Sequence, residues 1–190
     1  AFAAGDYPKA AQELLASMDQ GALQGHGLKL LDATAAAYVE AGYEPTAALV
    51  AGLSASVGAN LAQIRLGLGL SKDLRGMQDE FVKAADFDAV EPTLRVGLDL
   101  GRRLQDPKAM VVEQLTGLGI EAGFLRQLDP VTLVDGGLSA GERLGQLEAQ
   151  SAEFRELTDA AVTFSKQATD EDVGRYFEIM RRDGELAAVR

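Results

Sequence analysis

The chain has 190 residues, of which 47% are hydrophobic and 25% charged, as in an ordinary soluble globular domain. It has no Cys and a single His, which excludes disulfides, thiolate nucleophiles and metal sites built from several Cys or His. Eighteen basic residues face 29 acidic ones, so the net charge is −11 and the surface repels nucleic-acid phosphates and anionic lipids. We therefore expect no nucleic-acid partner.

The first residues resemble the end of a signal peptide. Ala1-Phe2-Ala3 has the small-x-small pattern that precedes a signal-peptidase cleavage site. This pattern predicts a periplasmic or secreted protein, with Ala1–Ala3 as the remnant of the signal peptide. A chance alanine-rich start is the alternative, since alanine is abundant throughout the chain.

Acid–proline pairs, capping boxes and glycines divide the chain into eight predicted helices. They cover residues 7–19, 27–41, 45–64, 72–86, 92–105, 107–127, 139–167 and 170–189. Ser139 and Thr169 open the last two helices as capping boxes, because each is followed three residues later by an acidic residue. The sequence thus predicts an all-α fold, a single-domain bundle of about seven to eight helices over residues 1–190.

Three residues around segment 27–41 are the candidate binding residues. His26 lies between two glycines that would let a ligand approach the backbone, and imidazole is the side chain best suited to act as a general base or pH switch. Tyr38 and Tyr43 flank Gly42 and could frame the mouth of a pocket. The alternatives are an exposed His in a turn and tyrosines with buried rings and surface hydroxyls. We predict no catalytic residue, no metal ligand and no cofactor.

Segment 45–64 contains no charged residue between Glu44 and Arg65. Its large residues form one stripe: Leu49, Leu53, Val57, Leu61 and Ile64. The segment is long enough to cross a bilayer, but its many small residues and its amides gain little from lipid. We therefore predict a central, small-residue-rich helix that is buried on several sides within a soluble bundle, and no transmembrane segment.

Two stretches, 64–70 and 94–100, alternate apolar residues with a period of two. This period is typical of strands, so an α+β fold with a short two-stranded hairpin is an alternative to the all-α fold. Both stretches are poor in β-branched residues and contain glycine, which favours helices instead.

A connection is predicted around residues 128–138, where Asp135-Gly136-Gly137 is typical of a turn. It could divide the domain into a core, residues 1–134, and a docked helical hairpin, residues 139–190. The apolar stripe along 139–167 predicts that this hairpin packs against the core.

The chain lacks a phosphate-binding G-x-x-x-x-G-K-[ST] run. The letters G-x-S-x-G occur at Gly137-Leu138-Ser139-Ala140-Gly141, where the capping box predicts that Ser139 starts a helix and no strand is predicted before it, as a nucleophile elbow requires. The apolar stripes therefore favour a non-enzymatic, exported interaction or scaffold protein that binds a protein partner or associates with itself. Two other functions stay open: a carrier that binds an apolar small molecule between its helices, and a carboxylate-dependent hydrolase or lyase.

Overall fold

A computed structural model of the protein describes residues 26–134 and 137–190, and only the backbone of residues 26–28, 62 and 63. Its helices are α1 (His26–Glu40), α2 (Pro45–Lys83), α3 (Phe87–Arg103), α4 (Val111–Leu125), α5 (Ala140–Ser165), α6 (Asp170–Asp183) and α7 (Glu185–Val189). The all-α prediction is confirmed, since the described residues form helices and a single isolated bridge, Leu133 to Ser139. The predicted helix 7–19 and the predicted remnant Ala1–Ala3 lie outside the described residues.

Helix α2 joins two predicted helices, 45–64 and 72–86, into one helix of 39 residues. It begins with Pro45 in its first turn, as the acid–proline pair predicts. The helix continues through 64–70 because the residues that pack against the bundle recur at three- and four-residue steps, which keeps them on one face of a helix. The buried residues on this face are Asn60, Ile64, Ser71, Leu74 and Gln78. The strand interpretation of 64–70 is therefore wrong.

Helix α3 contains the second predicted strand, 94–100, so the two-stranded hairpin does not form. Its buried residues recur at three- and four-residue steps: Thr93, Val96, Leu100 and, just after the helix, Leu104. The predicted start at residue 92 is also wrong, because α3 begins at Phe87 and Pro92 lies in its second turn. At that position proline forgoes one early backbone hydrogen bond, to the carbonyl of Asp88.

The predicted capping boxes are confirmed. The Glu142 N–H donates to Ser139 Oγ at 3.2 Å, and the Ser139 N–H donates to Glu142 Oε2 at 2.8 Å. Thr169 and Asp172 make the same reciprocal pair at 3.3 and 2.9 Å. The backbone N–H and hydroxyl donors of Ser139 and Thr169 hold the pKa of the Glu142 and Asp172 carboxyls below their usual range.

Two hydrophobic clusters hold the bundle together. The larger joins the C-terminal half of α2 to α3, α4 and α5. The smaller joins α1, α6 and the first half of α2 around the start of α4. Its buried residues are Leu31, Met110, Phe177 and Met180, and Leu49, Leu53 and Val57 of α2 pack against them. Helix α5 packs against α4 and α7, whereas α6 packs against α2 and α7, so residues 139–190 dock on the rest at two places. The division at residues 134–139 stays a prediction.

Candidate functional site

One face of the first half of α2 is open to solvent. Its residues recur at three- and four-residue steps and carry no charge: Ala47, Val50, Ser54, Gly58 and Leu61. We call them the uncharged face. Val50 is 51% exposed and Leu61 is 41% exposed. Of the most apolar 18-residue window of α2, only 31% is buried.

The opposite side of α2 is small and polar. A Cβ at Gly52 would lie 2.5 Å from the carbonyl oxygen of Leu31, so α1 packs here directly on the backbone of α2. Ser56 and Asn60 are buried, and both donate hydrogen bonds to Met110 Sδ. Leu61 belongs to the predicted stripe of large residues but lies on the side of α2 that stays exposed, because α1 covers the side around Gly52 instead. The usual amphipathic pattern is thus partly inverted in this half of the helix.

By length and composition, α2 is the one helix among the described residues that could cross a membrane. Length and composition alone do not identify a membrane span, because core helices of soluble proteins meet the same criteria. Helix α2 packs against α1, α3, α4 and α6, and its second half carries many charged residues, which include Lys72, Asp73, Asp79 and Glu80. The absence of a transmembrane segment stays a prediction.

The structure brings two of the three predicted binding residues together. Tyr38 and Tyr43 meet edge to face at the turn between α1 and α2, with ring centroids 5.0 Å apart, and both are exposed. His26 starts α1, about 18 Å along the helix axis from Tyr38, and its side chain lies outside the described residues. The tyrosine pair therefore lies beside the beginning of the uncharged face, and His26 belongs to the other end of α1.

A buried carboxylate, Glu121 on α4, links three helices. It accepts hydrogen bonds from Arg143 Nε at 2.9 Å and Nη2 at 3.0 Å, from Gln105 Nε2 at 2.7 Å and from Arg102 Nε at 3.3 Å. Burial alone would raise the pKa of Glu121, but the donors, led by Arg143, hold it below its usual range. The sequence analysis missed this cluster. The sequence feature that could have indicated it is that Glu121 is the only charged residue in 114–125.

Glu121 has no free carboxylate oxygen for a substrate, because each oxygen already faces donors and the side chain is wholly buried. The cluster therefore stabilises the packing of α3, α4 and α5.

A second buried acid, Glu113, lies at the start of α4. Burial raises its pKa; the Met110 N–H, which donates to Glu113 at 2.8 Å, lowers it, and the charges of Glu185 and Asp106 raise it further. Glu185 accepts the Val111 N–H at 2.7 Å and the Tyr176 hydroxyl at 3.2 Å. Both carboxylates thus cap the start of α4, which accounts for the burial of Glu113 without a catalytic role.

A cleft of about 310 Å³ opens between α4 and α5. Apolar residues such as Leu118 and Leu147 form part of its lining, and an ion pair of 3.0 Å joins Arg126 to Glu148 there. This cleft is open to solvent and partly polar, whereas a carrier of an apolar molecule needs a closed apolar cavity. The carrier function stays a prediction. In the described part of the chain, no group of three or more His, Asp or Glu is placed to hold a metal ion.

No protein-family model matches the chain, and neither does any curated protein or solved structure. Within the described residues, the uncharged face of α2 is one exposed apolar surface that the packing of the bundle does not account for.

Proposed function

We propose that this protein is a non-enzymatic interaction protein that binds a protein partner through the uncharged face of α2. The observation that carries the proposal is the orientation of α2, which exposes Val50 and Leu61 while it buries Ser56 and Asn60. An apolar patch open to water gains free energy when a partner covers it, roughly 25 cal/mol for each Å² of apolar surface. Large contiguous apolar patches on the surfaces of soluble domains mark interaction sites.

The polar chemistry of the face also favours a protein contact. No charged side chain has to lose its water, because residues 45–64 carry no charge within a chain of net charge −11. The hydroxyl of Ser54 already donates to the Val50 carbonyl at 3.0 Å, so burial would leave no unsatisfied donor. A partner helix would meet a surface of small and apolar groups that allows close approach.

Site-specific photo-cross-linking in the cells that make the protein tests the proposal. A benzophenone amino acid replaces Gly58 on the face, and the matched control replaces Gly76 further along α2. At both positions an added Cβ meets nothing within 4 Å, so both variants should fold. We expect a protein adduct from position 58 and none from position 76.

Equal adducts from both positions, or no protein adduct from position 58, would contradict the proposal. An adduct with lipid alone would assign the face to a membrane instead. Separating the cell compartments before the analysis tests the predicted export as well, which rests on the pattern at Ala1–Ala3.

A further inference from the structure

Opposite charges mark the two ends of the uncharged stretch. Glu44 directly precedes α2, and Arg65 is the first charged residue after the stretch, on the same side of the helix as Leu61. Both side chains are exposed, and neither forms a hydrogen bond or ion pair with a described residue. They lie about 32 Å apart along the helix axis, since each residue adds about 1.5 Å.

We propose that the uncharged face binds a second copy of this chain, with the two α2 helices antiparallel and a twofold axis between Ser54 and Ala55. The proposal rests on the proposed function, because it names the partner of the same face. In this register Glu44 of each copy lies opposite Arg65 of the other, and Gly58 lies opposite Ala51. The contact is thus self-complementary, as a twofold interface must be.

The charges select this arrangement over its competitors. A parallel pair would put Glu44 against Glu44 and Arg65 against Arg65, which repel. Two chains of net charge −11 also repel each other over most of their surfaces, and the longest uncharged strip is the one on α2. Exposed ion pairs add little affinity, so the two Glu44–Arg65 pairs mainly fix the register while the small residues allow the backbones to approach.

Charge exchange in the full-length chain tests the proposal, with the mass measured by sedimentation equilibrium over a range of concentrations. We expect the wild-type chain to reach twice its 20.1 kDa mass. Glu44→Arg or Arg65→Glu alone should weaken the dimer about tenfold, and the double variant should restore it to within about threefold. Glu156→Arg and Arg155→Glu on α5 change the net charge equally and should have no effect.

A second pair of variants guards against a folding defect at Glu44. Gly58→Leu should abolish the dimer, whereas Gly76→Leu, which also points into open space, should keep it. A dimer that both single exchanges leave unchanged, or that the double variant fails to restore, would overturn the antiparallel register.

A wild-type chain that stays monomeric would show that the partner is not a second copy of the chain. The cross-link at position 58 then shows whether the face binds another protein, residues 1–25 of the same chain, or no protein. An adduct with a different protein would leave the proposed function standing. An adduct with residues 1–25 of the same chain, or no protein adduct, would overturn both proposals.

Discussion

Glu113 and Glu121 lie two turns apart on α4, and both are buried, yet their pKa values shift in opposite directions. Burial raises the pKa of both carboxyls. At Glu121 two guanidinium groups and an amide more than offset that cost, whereas at Glu113 a single backbone N–H does not, and the nearby charges of Glu185 and Asp106 add to it. The number of hydrogen-bond donors around each carboxylate therefore decides whether its pKa is raised or lowered.

Glu121→Gln should destabilise the protein by about 3–5 kcal/mol at pH 7, because it leaves Arg102 and Arg143 without their buried counter-charge. The folded-state pKa of Glu121 lies below its unfolded-state value, so its contribution is present above the unfolded-state pKa and is lost as the pH falls through the folded-state pKa. Urea unfolding at a series of pH values should therefore show the difference between variant and wild type shrinking in acid.

Glu113→Gln is the matched control and should behave in the opposite way. The folded-state pKa of Glu113 is raised, so its ionised form costs stability at neutral pH, and Gln can still accept the Met110 N–H. We expect the variant to be at least as stable as the wild type at pH 7. Its advantage should vanish once the pH falls below the unfolded-state pKa of Glu113. A loss as large as that of Glu121→Gln would contradict this account.

At the scale of the helices, glycines set the closest contact of the core. A Cβ at Gly117 on α4 would lie 2.5 Å from the carbonyl oxygen of Gly101 on α3, and a Cβ at Gly101 would lie 2.7 Å from the Glu121 nitrogen. The two backbones therefore touch, and this contact holds Glu121 beside Arg102. Gly119, two residues further along α4, faces open space.

Gly117→Ala should cost about 1–3 kcal/mol, because the new methyl group meets backbone that cannot move aside without shifting a helix. Gly119→Ala should instead stabilise the protein by about 0.5–1 kcal/mol, since alanine has the better helix propensity and meets nothing. Thermal unfolding of the two variants under the same conditions tests this. Changes of the same sign would show that α3 and α4 do not pack through these glycines.

Local signals predicted much of the fold, because caps and turns depend on neighbours in the sequence. The boxes at Ser139 and Thr169 and the proline start of α2 are examples. The continuity of α2 through 64–70 and the burial of Glu121 depend on helices far away in the chain, which a periodicity does not identify. The side of α2 that α1 covers is decided by the fit around Gly52, so the exposure of Val50 and Leu61 could not be predicted from hydropathy.

For the whole molecule, the central claim is that a second copy of the chain covers the uncharged face of α2. The larger cluster lies around the second half of α2 with α3, α4 and α5, and the other sides of the first half pack on α1 and the smaller cluster, so the uncharged face can bind a partner without disturbing either cluster. The remaining surface carries the charges that give the chain its net −11. The uncharged face is thus a place on a strongly acidic domain where a protein contact meets no charge.

Thiol labelling tests this claim most directly, because the chain has no Cys and one introduced Cys is unique. Ser54→Cys reports on the centre of the face and Gly76→Cys on a control position, each labelled under reducing conditions at high protein concentration and after dilution. We predict that Cys at position 54 reacts more slowly at high concentration and speeds up on dilution, while the control rate stays constant. A rate at position 54 that does not change with dilution would contradict the account, because contact with another molecule must depend on concentration.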